Sequence, residues 1–172
     1  MKEQFSISTA RLEIAPLAAS DAYFIRELVN TEGWLKFIGN RNITTGTEAV
    51  AYIEKINSNE NIAYWVVRLK SDEQSIGIIT YIKRDYLDHH DIGFAFLPEH
   101  TNKGFAYEAT STVLGRLVVE LKLPRILATT IPENISSIKL LQKMGLGFEK
   151  EIEINNEKLH VYGASADQLK LS

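Results

Sequence analysis

The stretch from residue 91 to residue 122 constrains the fold more than any other, because a strand, a short loop and a long helix follow in direct succession. Residues 91–97 alternate as a strand does, and the loop after them contains Gly104 and Ala106. Apolar residues at helical spacing predict an amphipathic helix over residues 104–122. Several free N–H groups and the positive helix end converge at this turn, where small residues let an anion approach. The geometry suits a pyrophosphate.

The remaining apolar patterns predict a sheet around this unit. Strands are expected at residues 11–15, 62–69, 76–82, 91–97, 125–131, 148–154 and 158–164. The last two should form a hairpin around Asn155, Asn156 and Glu157, and residues 125–131 should run parallel to residues 91–97 across the long helix. Three helices are expected before the main sheet, the first ending at Gly33 and the third capped by Thr47.

Length and composition exclude several classes of protein. With 172 residues, 45% of them hydrophobic, the chain fits one domain, and its net charge of -3 lacks the basic excess that nucleic-acid binding needs. No apolar run approaches the ~20 residues of a membrane span, so a cytoplasmic protein without membrane contact is predicted. The absence of cysteine excludes thiolate metal sites and cysteine nucleophiles. No metal is expected.

The loop after the strand resembles a known cofactor motif. Thr101, Gly104 and Ala106 occupy the three marked positions of the acetyl-CoA pyrophosphate motif of the GNAT N-acetyltransferase superfamily, Gln/Arg-x-x-Gly-x-Gly/Ala. Residues 102–109 are closer still to the branch that acetylates the N-terminal alanine or serine of ribosomal proteins, which residues 9–12, 34–39 and 145–150 also resemble. Thr101 departs from the usual Gln or Arg, so the side-chain contact to the pyrophosphate is not expected, whereas the backbone N–H groups of the loop would still bind it. The resemblance implies cofactor contacts from Thr101, Asn102, Lys103, Gly104, Phe105 and Ala106.

A second motif, residues 134–145, resembles the later motif of the same superfamily. The resemblance implies that Asn134 contacts the pantetheine arm and that the Ser137 hydroxyl faces the thioester sulfur. Asn134 is also a favourable N-cap, and the two roles are compatible. Many members carry a tyrosine as general acid seven residues after this asparagine, where this chain has Leu141. Ser137 is therefore the candidate that donates a hydrogen bond to the departing thiolate.

Asp91 is the candidate general base. An acceptor amine is mostly protonated at neutral pH, so a group that accepts its proton is expected near the thioester. Asp91 matches the acidic position before Ile-Gly-aromatic in the ribosomal-protein branch, and the short side chain would act through a water. The alternatives are an exposed carboxylate at a strand start without a role, or a proton transferred by His89 or His90.

The resemblance also places the pantetheine arm along the strand that Asp91 begins. Its amides would pair with exposed strand backbone much as an added strand would. The small residues on one face of residues 91–97 would leave room for a ligand. A backbone N–H at Phe94 or nearby would polarise the thioester carbonyl. The strand residues assigned to the cofactor are Phe94, Ala95 and Phe96.

The expected fold is α/β: a single GNAT-type domain over residues 1–172, with a mixed twisted sheet of about six to seven strands and helices on both faces. A splay is expected between the two central parallel strands, where acetyl-CoA enters as co-substrate and the amine attacks the thioester directly in a ternary complex. One alternative is a non-catalytic acyl-CoA sensor, which the departures at Thr101 and Leu141 leave open. Another is an acetyltransferase for a polyamine, an amino sugar or an antibiotic.

The acceptor is less defined by the sequence. It would be a small-molecule or peptide amine, and a strongly acidic groove would favour polyamines or aminoglycosides, whereas an open apolar groove would favour a peptide N-terminus. Exposed sheet edges would allow a homodimer. Candidate walls of the acceptor pocket, by position, are Trp34, Phe37, Arg41, Tyr64, Tyr81 and Tyr162, and packing in the core or on the surface is the alternative for each.

Overall fold

A mixed sheet of eight strands organises the protein in the computed structural model, which describes residues 5–171. Its spatial order is β1-β2-β3-β4-β5-β6-β8-β7. The strands are β1 (Ile7–Ser8), β2 (Leu12–Pro16), β3 (Ile62–Leu69), β4 (Ser75–Ile82), β5 (Asp91–Phe96), β6 (Arg125–Thr130), β7 (Gly147–Ile154) and β8 (Glu157–Ser165). The expectation of six to seven strands was one short, because β1 has only two residues, too few to show alternation.

Antiparallel pairing holds the sheet together except at one place near its centre. Neighbouring strands from β1 to β5 are antiparallel, as are β6 with β8 and β7 with β8. Strands β5 and β6 lie parallel, as predicted, and in the described residues they share one register pair, Asp91 with Leu127. The splay predicted between these strands is therefore present.

Helices cover both faces of the sheet, as expected. They are α1 (Ala22–Val29), α2 (Glu32–Phe37), α3 (Gly46–Ser58), α4 (Phe105–Leu121) and α5 (Ile135–Lys143). Val66 and Ile78 pack with α1, α2 and α3 on one face, whereas Trp65 and Ile79 pack with α4 and α5 on the other. This division follows from strand alternation, which points successive side chains to opposite faces. Within residues 5–171, every helix is too short or too polar to traverse a bilayer.

Two predicted helix boundaries were wrong. Helix α1 ends at Val29, and Gly33 lies inside α2. The cap of α3 is Thr45: its hydroxyl accepts the Glu48 N–H at 3.1 Å, and the Glu48 carboxylate accepts the Thr45 N–H at 3.1 Å. This reciprocal pair needs an acidic residue three positions after the cap, which Thr45 has and Thr47 lacks.

The closing hairpin lies where predicted, but its turn is one residue shorter, because Glu157 belongs to β8. Ile154 pairs with Glu157, so Asn155 and Asn156 form a two-residue loop, and both have positive φ, at 52° and 64°. Asparagine tolerates this left-handed backbone, and such turns match the twist of paired strands. The hairpin thereby brings Asn155 and Glu157 to one wall of the cleft described below.

Candidate active site

The splay between β5 and β6 exposes strand backbone. The Leu127 N–H donates to the His90 carbonyl at 3.0 Å, and beyond the Asp91–Leu127 pair the described parts of the two strands share no further register pair. On the other edge of β5, the Leu97 N–H donates to the Ile76 carbonyl at 2.8 Å. Because backbone groups alternate along a strand, those of Phe94 and Phe96 point away from β4. They therefore face the splay, where an extended ligand can pair with them.

A cleft of about 380 Å³ lies at the splay. Its walls come from α2 and the loop after it, from β4, β5 and β6, from the start of α5 and from the β7–β8 hairpin. The polar residues that line it are Trp34, Arg41, Tyr64, Thr80, Arg84, Tyr86, Asp91, Thr129, Thr130, Asn134, Ser137, Asn155 and Glu157. The predicted residues Asp91, Phe94, Ala95, Asn134 and Ser137 thus lie around one cavity.

Asp91 is a buried carboxylate that accepts hydrogen bonds at one of its two oxygens. It is 3% exposed, so the alternative of an exposed carboxylate at a strand start is wrong. The Thr129 hydroxyl donates to Oδ2 at 2.8 Å, and Arg84 Nε donates to the same atom at 3.4 Å. Within residues 5–171, no hydrogen bond is made to Oδ1. Two neighbours therefore fix the carboxylate through one oxygen and leave the other for a ligand in the cleft.

Burial also changes the acidity of this group. Loss of solvation raises the pKa of Asp91 above its ordinary value, and this outweighs the Arg84 charge and the Thr129 hydrogen bond, which lower it. Burial opposes the charge of Arg84 as well, but the Asp91 carboxylate and Tyr86 outweigh it, and the pKa of Arg84 is raised. Asp91 is thus a stronger base than an exposed aspartate, beside a guanidinium that stays charged.

The two histidines before β5 do not line the cleft. His90 stacks on Tyr81, with ring centroids 4.3 Å apart and planes 5° from parallel. Burial lowers the pKa of His90, and the charges of Lys83 and His89 lower it further. The proton-accepting role of Asp91 remains a prediction, but among these three groups it alone faces the cavity.

Asn134 and Ser137 meet at the start of α5. The Asn134 side-chain oxygen accepts the Ser137 N–H at 3.3 Å, which is the N-cap role recognised in the sequence. The Ser137 hydroxyl has no hydrogen bond to any described residue, and both side chains line the cleft. Leu141, where a tyrosine is usual, is 1% exposed and packs in the core. Of Asn134, Ser137 and Leu141, only Ser137 has a hydroxyl that could donate a hydrogen bond to a thiolate.

The glycine loop, residues 101–106, has the backbone geometry expected of an anion cradle. Gly104 is the N-cap of α4 with φ of +82°, a conformation that a side chain disfavours. The first helical bond runs from the Glu108 N–H to the Gly104 carbonyl at 3.0 Å, so the preceding helical N–H groups lack intrahelical acceptors. Thr101 donates its hydroxyl to the Pro98 carbonyl at 2.8 Å and so closes the turn before the loop.

Arg11, directly before β2, contacts the glycine loop, a role that the sequence did not predict. Its Nη1 donates to the Lys103 carbonyl at 3.1 Å, and its Nη2 lies 2.7 Å from the Glu108 carboxylate. Its guanidinium also lies 4.3 Å from the centre of the Phe105 ring, and the Thr9 hydroxyl donates to Glu108 at 2.6 Å. The available signal was the resemblance of residues 9–12 to the ribosomal-protein branch, which named no contact.

The small residues of β5 serve a different purpose from the one expected. A Cβ at Gly93 would lie 2.5 Å from the Thr80 hydroxyl on β4, so this space belongs to a neighbouring side chain. Ala95 packs against the cluster under α1, α2 and α3. The expectation of an open channel along this face was therefore wrong at Gly93, although both residues border the cleft.

The candidate acceptor walls divide into two groups. Tyr81 and Tyr162 are 5% and 4% exposed and belong to the core, so for these two the alternative of core packing is confirmed. Their side chains point away from the cavity because each occupies a core-facing position of its strand. The four that do line the cleft are Trp34, Phe37, Arg41 and Tyr64.

An α/β sheet splayed between two parallel strands, with a glycine loop at the next helix, is the arrangement expected of an acyl-CoA-dependent transferase. Residues 11–147 match the family model of the acetyltransferase (GNAT) domain, and the chain belongs to that family. It is 33% identical over 157 residues to the uncharacterized N-acetyltransferase YnaD of Bacillus subtilis (strain 168), covering 88% of this chain and 90% of the relative. The chain is an acyltransferase of the N-acetyltransferase class.

Solved structures share the fold over more than nine-tenths of the chain. A GNAT acetyltransferase from Bacillus anthracis aligns with a TM-score of 0.79 at 27% identity, over 95% of this chain and 99% of that one. The ribosomal-protein-S5-alanine acetyltransferase of Vibrio fischeri aligns at 0.78 and 22%, over 96% and 99%. Spermidine N-acetyltransferase from Vibrio cholerae, in complex with CoA and spermine, aligns at 0.78 and 20%, over 93% and 98%. The superfamily resemblance is confirmed, while its ribosomal-protein branch is one structural neighbour among these.

Proposed function

We propose that this protein is a cytoplasmic, acetyl-CoA-dependent N-acetyltransferase whose residues 1–172 act as one catalytic domain. It transfers the acetyl group directly to an amine in a ternary complex. The observation that carries the proposal is that Asp91, whose Oδ1 has no hydrogen bond within residues 5–171, lines the cleft at the splay, where the backbone of β5 is open. One cavity thereby combines a proton acceptor with a binding edge.

Three parts of the chain fit the co-substrate. The free N–H groups at the start of α4, with Gly104 at positive φ, suit the pyrophosphate, and the exposed backbone of Phe94 and Phe96 suits the amides of the pantetheine arm. Asn134, the N-cap of α5, lines the same cleft. Bound there, acetyl-CoA supplies the acetyl group as an activated thioester.

Proton removal and stabilisation of the developing charges would be carried out by side chains and one backbone N–H of this protein. Asp91 accepts the amine proton at Oδ1, directly or through a water, while Arg84 and Thr129 hold Oδ2. Burial of the carboxylate makes it a better acceptor, since its pKa is raised. The Phe94 N–H polarises the carbonyl, and the Ser137 hydroxyl donates to the thiolate. Holding both reactants in one cavity supplies much of the rate gain.

The test is thiol release from acetyl-CoA against N-terminal peptides, amino acids, polyamines, amino sugars and aminoglycosides, with mass spectrometry of the acetylated product. Amine-dependent release that yields an N-acetyl product would establish the activity. CoA binding by calorimetry without release for any amine would favour the sensor alternative. Absence of CoA binding would overturn the proposal.

A further inference from the structure

We propose that the amine accepted by this site also carries a carboxylate, and that Arg41 and Trp34 bind it. The inference rests on the proposed function, because it concerns the acceptor end of the same cleft. An acceptor of this kind would present its amine to Asp91 and its carboxylate to the wall formed by α2 and the following loop.

Arg41 is a guanidinium at the cleft with no acidic partner. It lines the cavity, and its Cζ lies 5.7 Å from the centre of the Trp34 ring. Among residues 5–171, no Asp or Glu oxygen lies within 4 Å of it, which it shares with Arg26 outside this cleft, whereas Arg11, Arg68, Arg84, Arg116 and Arg125 all have one. Its charge reaches the cavity: burial raises the pKa of Tyr64, a cleft residue, and Arg41 is among the groups that lower it.

Trp34 adds an unused donor beside this cation. Its side chain is 5% exposed, and its indole Nε1 is buried without a hydrogen-bond partner in the described part of the chain. The second tryptophan differs, since Trp65 Nε1 donates to the Phe5 carbonyl at 3.0 Å. A buried donor without an acceptor is costly and uncommon. A carboxylate bound by Arg41 beside the ring would satisfy this donor after a small shift of the indole, because Nε1 itself is buried, and a guanidinium suits a carboxylate geometrically.

The charge distribution of the cleft disfavours a polycation. Four charged residues line it: Arg41, Arg84, Asp91 and Glu157. Asp91 is buried, is paired with Arg84 and would receive the reacting amine, so Arg41 and the exposed Glu157 are the charges left for the rest of the acceptor. Glu157 belongs to the β7–β8 hairpin, a different wall from Arg41. A polyamine would therefore meet one free carboxylate and a repelling guanidinium, whereas an amine with a carboxylate meets a cation that lacks a partner.

A spectroscopic test is independent of turnover. The chain has two tryptophans, so its indole ¹H–¹⁵N spectrum has two signals, assigned with Trp34→Phe. In the presence of CoA, adding the dipeptide amide H-Ala-Glu-NH₂ should shift the Trp34 signal downfield and leave that of Trp65 in place. The shift should vanish in Arg41→Gln. Two unmoved signals at saturating peptide would overturn the inference.

A kinetic test uses acceptor pairs that differ in one charge. We expect kcat/KM for H-Ala-Glu-NH₂ to exceed that for H-Ala-Gln-NH₂ by about tenfold, the range of a charged hydrogen bond. L-alanine against L-alaninamide distinguishes a free amino acid from a peptide as the source of the carboxylate. Arg41→Gln should abolish the preference, while Lys36→Gln, an exposed cation on α2 outside the cleft, should retain it.

Each failure has its own signature. Equal rates for both members of every pair would overturn the carboxylate inference while confirming acetyl transfer. No turnover with any amine would count against the proposed function, and the indole shift would then decide the anion site alone. A preference that persists in Arg41→Gln would show that another group recognises the carboxylate and would overturn the inference as stated.

Discussion

Arg11 and Glu108 are separated by 97 residues of chain, yet the Arg11 Nε donates to the Glu108 carboxylate at 2.8 Å. Glu108 lies in the first turn of α4, and Arg11 also grips the Lys103 carbonyl inside the glycine loop. The pair therefore ties the start of β2 to the segment expected to hold pyrophosphate. The arginine side chain is 46% exposed, and exposed ion pairs contribute little to folding stability. The main effect of this pair should therefore be to hold the glycine loop in one conformation.

Removal of this contact should weaken acetyl-CoA binding. In Arg11→Ala we expect KM for acetyl-CoA to rise about fivefold, equivalent to roughly 1 kcal/mol, with kcat nearly unchanged. Arg116→Ala, which breaks the pair with Glu120 on the solvent side of α4, is the matched control. Initial rates at varied acetyl-CoA measure both constants. A fall in kcat with unchanged KM would contradict a positioning role.

Replacement of the candidate base should act on the chemical step. Asp91→Asn should lower kcat by a factor of about 10² to 10³, because the amide cannot accept the amine proton. CoA affinity by calorimetry should stay within a small factor of wild type. Asp88→Asn, an exposed neighbour outside the cleft, should behave as wild type. Full turnover in Asp91→Asn with a verified fold would remove the assigned role.

Arg84 should set the pH at which the base works. Its positive charge lowers the pKa of Asp91, so its loss lets burial raise that pKa further. A higher pKa leaves the carboxylate protonated over more of the acid range. The acid limb of the kcat/KM profile should therefore move to higher pH in Arg84→Gln, measured from pH 4 to pH 9 in constant ionic strength. A limb that stays in place would show that Asp91 does not govern it.

Ser137 should contribute modestly. Ser137→Ala removes a hydroxyl that has no partner among the described residues but keeps the N–H that Asn134 caps, so the fold should be undisturbed. We expect kcat to fall about two- to tenfold, the effect of one hydrogen bond to a thiolate that already leaves readily. Ser136→Ala, an exposed neighbour outside the cleft, serves as control. Identical kcat values for the two variants would assign Ser137 no catalytic part.

Gly145 should matter for stability alone. It has φ of +98° after α5, and a Cβ there would clash with the Gln168 carbonyl and lie 3.2 Å from Leu169 Cα. Backbone strain and backbone contact together should cost about 2–4 kcal/mol in Gly145→Ala. Gly147→Ala has open space around its Cβ and should cost far less. Urea unfolding compares them, and equal midpoints would contradict the assignment.

Local patterns predicted what depends on neighbours in the chain. The hairpin at Asn155 and Asn156, the N-cap at Asn134 and the positive helix end after Gly104 each follow from residues a few positions apart. The cap at Thr45 was also available locally, since Glu48 completes its capping box. It was missed because a nearby threonine has the same side chain.

Periodicity and loop chemistry are local properties, and they predicted the order of the helices and of strands β2 to β8, including the parallel pair flanking α4. The splay and the motif residues around it came from the resemblance to the family. How those residues are held depends on tertiary packing. The burial of Asp91 between Arg84 and Thr129, and the grip of Arg11 on the glycine loop, join segments distant in the chain. Such contacts depend on which side chains the packed sheet brings together, and that is a property of the whole fold.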